Sequence, residues 1–303
     1  MVKNEKWFTF FYAKLLSEKT KEKSEAIIIV IAIISFVFHL LLITLVDLDI
    51  VQLNDYSKLL TNPIAAIYTP FSFILIYEVY LLVYYLPKST TIYIGKQYEI
   101  ITLILIRRVF KDLSKLELTP NWFEEKNDLQ LTYDLVATVS LFFLIFVFYR
   151  LSLREEENPQ QRNEPSLAIA RFIKIKNIMA MCLIPTFLLL AIYSFSRWVY
   201  ENFFVAGKTI DTVTDVNKIF FSEFFTVLIL TDVLILLISF LHTNKFSEVI
   251  RNSGFIISTI LIKLSFGIEG LLNTFLIITA VLFGVAILGI HNQYSKIKMP
   301  GES

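Results

Sequence analysis

Long runs of apolar residues alternate with short polar stretches from residue 26 onward, and this pattern dominates the chain. Six runs are long enough to cross a bilayer as helices: 26–46, 64–86, 130–150, 178–199, 219–241 and 271–290. About 20 apolar residues rising ~1.5 Å each match a hydrocarbon core of ~30 Å. Two weaker runs have a similar outline. One, 97–113, ends in Arg107 and Arg108; the other, 254–267, lies between Gly254 and Gly267 and carries Lys263. The pattern predicts an all-α fold, a polytopic transmembrane helical bundle of six to eight spans, with the two short runs either crossing or dipping in and returning.

The positive-inside rule does not separate these arrangements. Both place 18 basic residues inside and 10 outside.

The polar stretches divide the chain into a basic, amphipathic N-terminal segment (1–24), a first transmembrane repeat (25–150), a charged linker (151–176), a second repeat (177–292) and a short polar tail (293–303). The repeat is expected from two alignments. Residues 100–110 (IITLILIRRVF) lie on 256–266 (IISTILIKLSF) with six identities and Arg107 opposite Lys263. Residues 74–86 lie on 228–240, with Glu78 opposite Asp232. Each half then reads as span, acidic span, short basic helix, span. Short helices in corresponding positions of two repeats are a sequence pointer to a transport site.

Composition reinforces the membrane reading. The 303 residues are 55% hydrophobic, with 28 Phe, and the mean hydropathy is +0.63. That leaves too little polar surface to cover a soluble core. Lys+Arg and Asp+Glu nearly cancel, 28 against 27, so no basic footprint for nucleic acid is expected. The lone Cys182 excludes an intrachain disulfide or a CxxC site. The N-terminal 24 residues, with six lysines, do not read as a cleavable signal peptide. They are expected on the cytoplasmic side of a plasma or inner membrane, where Trp7, Phe8, Phe10 and Phe11 would lie in the interface.

Ionisable residues within apolar runs are costly and mark function by default. Those expected to line a substrate or ion pathway are Glu78, Glu99, Arg107, Asp232, Lys263 and His39. The expected pairs are Glu78–Arg107 and Asp232–Lys263, with Arg108 snorkelling to a phosphate. A voltage sensor needs arginines at every third position over several turns, which Arg107, Arg108 and Lys111 do not provide. The AGKT at 206–209 lacks the opening glycine of a phosphate loop. No HExxH or GxSxG occurs, and neither an enzyme nor a cofactor or metal is expected.

The sequence therefore points to a channel or secondary transporter for an ion or small solute, with the lipid bilayer as its surroundings. Membership of a homo-oligomer or a larger membrane complex is compatible with it. The alternative is a membrane sensor, scaffold or effector subunit without intrinsic transport, which recruits a partner through its basic N-terminal segment and its linker.

Overall fold

Eight long helices make up nearly all of the computed structural model, which describes residues 14–50, 63–113, 126–156, 167–199, 216–241, 246–268 and 270–294. They are α1 (Glu18–Asp47), α2 (Tyr68–Tyr85, after a 3-10 turn at Pro63–Ile67), α3 (Thr90–Leu113), α4 (Lys126–Glu156), α5 (Leu167–Val199), α6 (Val216–Phe240), α7 (Phe246–Phe266) and α8 (Leu271–Tyr294). No strand occurs among the described residues. The fold is an all-α bundle.

Six of these helices are long and apolar enough to cross a membrane: Glu18–Asp47, Asp128–Leu153, Ala170–Tyr193, Glu223–Phe240, Phe246–Phe266 and Leu271–Tyr294. The number matches the six runs of the sequence, but the membership differs. The run 254–267 belongs to a 21-residue helix that continues back through the polar Phe246–Ser253. The run 64–86 yields only the 18-residue α2, because Pro63–Ile67 winds as a 3-10 turn. Helix also covers 151–156 and 167–176 of the charged linker. Large apolar side chains such as Ile34, Val139, Phe143 and Leu189 are more than 60% exposed. In these spanning helices such surfaces face lipid. The chain is a multi-pass membrane protein.

Helix ends follow local chemistry. Ser17 caps α1 by accepting the Thr20 amide at 3.2 Å, and Glu18 places a negative charge on the first turn. Past the end of α1, Asp49 takes a left-handed φ of 55°, a conformation that Asp adopts more readily than most residues.

The contacts divide the chain into two units, each drawn from several stretches. The first contains Met1–Tyr84, Ile100–Leu135 and Ile184–Phe220. Here α2 is joined by polar contacts to α1 and to the residues just before it: Tyr77 donates to Glu25 at 2.9 Å, Tyr80 donates to the Leu15 carbonyl at 2.9 Å, and Lys21 lies 5.6 Å from the Tyr84 ring centre. The second contains Tyr85–Glu99, Val136–Leu183 and Phe221–Ser303. Its centre is aromatic: Phe148 of α4 stands edge-on to Tyr98 of α3 at 5.2 Å and against Phe255 of α7 at 5.8 Å. All three rings are fully buried.

Candidate functional site

Six residues were singled out in the sequence. His39, Glu78 and Arg107 belong to the first unit; Glu99, Asp232 and Lys263 belong to the second.

In the first unit, His39 Nδ1 meets the Thr69 hydroxyl of α2 at 2.5 Å. This is a helix-to-helix hydrogen bond. Arg107 is buried. Arg108 does not snorkel to a phosphate, as the sequence suggested. Its Nε and Nη2 donate to the two carboxylate oxygens of Asp134 at 2.5 and 2.6 Å, and Gln130 donates to the same carboxylate at 3.0 Å. Asp134 is fully buried, which explains the two-pronged grip: a buried carboxylate needs both charge compensation and several donors. Asp134 had escaped notice because it sits in the polar opening of an apolar run.

The second unit holds the more unusual arrangement. Asp232 is the tenth residue of the 18-residue span Glu223–Phe240, and only 3% of it is exposed. The expected lysine partner does not reach it. Lys263 instead donates to the Thr226 hydroxyl at 2.5 Å, and Gln97 of α3 takes its place, donating to Asp232 Oδ2 at 2.9 Å. The carbonyl of the same Gln97 amide accepts from the Thr259 hydroxyl of α7, also at 2.9 Å. One side-chain amide therefore links three helices, using its donor and its acceptor once each.

One residue along α3, a second relay crosses to α8. Ser258 donates to the Ala280 carbonyl at 2.6 Å. That commits its proton, so Tyr98 donates to Ser258 across 2.8 Å. Gly284 makes room for this tyrosine, since a Cβ at that position would run into the Tyr98 hydroxyl.

Asp232 Oδ1 has no hydrogen-bond partner, and neither does the buried Tyr93 hydroxyl. The two groups interact, but without the geometry of a hydrogen bond. Both line a cavity of about 20 Å³ with Thr90, Lys176, Ser239 and Asn252. Lys176 is 4% exposed. Its ammonium group donates to the Lys88 carbonyl at 2.6 Å and lies within electrostatic reach of Asp232 without touching it. Glu99, two residues beyond Gln97 on α3, is met separately by Lys96 at 2.6 Å and by the Tyr149 hydroxyl at 2.5 Å.

The site thus brings together one of the six expected residues, Asp232, with Gln97, Tyr93, Lys176 and Thr259. Lys176 was masked by its place at the edge of the charged linker. Gln97 and Tyr93 stood in or next to a run read for its charges rather than its neutral polar groups. Among the described residues, no group of three or more His, Cys, Asp or Glu side chains could hold a metal ion. Comparison with protein-family models, curated proteins and solved structures finds no match to this chain.

Proposed function

We propose that this membrane protein is a channel or secondary transporter for an ion or small solute, and that its pathway passes Asp232. One observation carries the reading. A carboxylate sits mid-span, buried, with one oxygen in no well-formed hydrogen bond, beside a cavity that also receives a buried lysine. An ionisable group in that position costs several kcal/mol unless it is paired or serves a pathway. Gln97 holds one oxygen of Asp232, and the other makes no well-formed hydrogen bond.

Helix order supports the duplicated architecture behind this reading. α3 and α7 begin at Thr90 and Phe246, the same spacing that places 100–110 on 256–266. In this proposal, the N-terminal segment 1–24 faces the cytoplasm of a plasma or inner membrane, following its lysines.

The test is flux from proteoliposomes. Vesicles carrying the purified chain are assayed for movement of H⁺, Na⁺, K⁺ and Cl⁻ under imposed gradients, alongside vesicles carrying Asp232→Asn. Flux above that of empty vesicles, lost in the variant, supports the proposal. Leakage equal to empty vesicles for every ion counts against it.

A further inference from the structure

We infer that the Asp232 cavity is a proton-binding site, with Asp232 as the group that carries the proton and a polar row on α3 as its access route. The inference deepens the transport reading and rests on it only for the proton's destination.

Three features argue for a proton rather than a larger ion. The first is size. A cavity of about 20 Å³ holds roughly one water, which suits a proton delivered by water. The second is charge. The Lys176 ammonium lies within electrostatic reach of the carboxylate and borders the same cavity. It disfavours a metal cation there while compensating Asp232 whenever that carboxylate is ionised. The third is hydrogen bonding. Asp232 Oδ1 and the Tyr93 hydroxyl each lack a well-formed hydrogen bond, although the two groups interact. A water in the cavity would join the two, and a proton on Oδ1 would turn that oxygen into a donor.

The route follows from helix geometry. Lys88 is exposed, and its carbonyl anchors Lys176 at one end. From there, Thr90, Tyr93 and Gln97 stand at i, i+3 and i+7 along one face of α3, spanning roughly 10 Å of its axis. Thr90 and Tyr93 border the cavity, and Gln97 holds the far oxygen of Asp232. The titratable groups facing Asp232 are Tyr93 from α3 and Lys176 from α5. α7 presents the uncharged Asn252 and Phe255 to the cavity, and on α6 itself the cavity receives Ser239.

The transfer balances simply. A hydronium entering past Thr90 gives up one O–H bond, an O–H bond forms on Oδ1, a water remains, and the charge on Asp232 is neutralised. Release is the reverse.

The test uses the full-length protein in vesicles and two readouts. Infrared difference spectra between acidic and alkaline buffer should show a protonated-carboxyl band in the wild type that disappears in Asp232→Asn. The asparagine keeps an acceptor for Gln97, so this variant preserves the helix link. Tyr93→Phe should keep the band and slow proton entry by tenfold or more, as followed by a trapped pH dye. The site is overturned if the wild type shows no carboxyl band that the Asp232 variant removes, or if protons enter wild-type vesicles and Tyr93→Phe leaves that entry unchanged. It is also overturned if Na⁺, K⁺ or Cl⁻ crosses in an Asp232-dependent way and protons do not, which would leave the transport reading standing. A band present without flux of any ion supports the proton site and removes the transport reading.

Discussion

The Gln97 amide donates to Asp232 at 2.9 Å, so a neutral residue, not a lysine, meets a carboxylate at the middle of a membrane span. The bond is one side of a three-helix link, because Gln97 also accepts from Thr259.

Breaking that link from one side should cost more than removing both ends. Gln97→Leu leaves the Asp232 carboxylate without a donor, and this should destabilise the protein by about 1–3 kcal/mol or more. Gln97→Leu combined with Asp232→Leu should recover much of the loss, since replacing both partners by apolar groups is far cheaper. Thermal unfolding in detergent of the two single variants and the double variant measures the coupling. Strict additivity would show that the bond is not what joins these helices.

Arg108 and Asp134 should respond unequally. Side-chain exposure is 29% for the arginine and 0% for the aspartate. Arg108→Met removes two charged donors from a buried carboxylate, with an expected loss of about 3–5 kcal/mol. Asp134→Ala lets the arginine turn to water or headgroups and should cost clearly less. Equal losses in denaturation midpoints would contradict the buried position of Asp134.

Gly284 is predicted to be intolerant of even one methyl group. Alanine there meets the Tyr98 hydroxyl, and overpacking of this kind costs about 1–3 kcal/mol. Adding Tyr98→Phe should restore part of the stability. The restoration is incomplete because the ring's Cζ also lies 2.9 Å from the new Cβ. Melting temperatures of the two single variants and the double variant test this directly.

Cys182 reports on the bilayer. It is exposed on the span Ala170–Tyr193. In native membranes it should resist charged, impermeant thiol reagents applied from either side and become reactive after solubilisation and unfolding. Labelling of intact membranes by an impermeant reagent would place this part of α5 in water.

How much of this was legible beforehand depends on what kind of partner a residue takes. Lipid is a uniform solvent, so the long apolar runs announced most of the spanning helices without knowledge of any neighbour. The polar start of α7 was not legible. Residues 246–253 look like a loop, yet Arg251 donates to His291 Nε2 at 3.2 Å and His291 Nδ1 meets the Ser247 carbonyl at 3.1 Å. Those polar groups are spent on α8, and the histidine that binds them lies 40 residues away in sequence. The same reason separates Asp232 from Lys263. Both charges were visible, but which polar group each one meets depends on how the helices are rotated. Periodicity constrains that rotation only loosely when helices are apolar all round, as α2, α6 and α8 nearly are.

The glycines of α7 and α8 carry one more consequence. Gly254 opens a notch for Ile287, whose carbons would crowd a Cβ at 2.7–2.8 Å, and Gly284 opens another for Tyr98. The Asn273 side chain donates to the Ser265 carbonyl at 2.5 Å, pinning the start of α8 to the end of α7. A helix keyed in this way can neither spin nor slide along its neighbour without first lifting out of its notch. α7 and α8 are therefore locked together as a single stave, and Tyr98 of α3 is seated in the second notch.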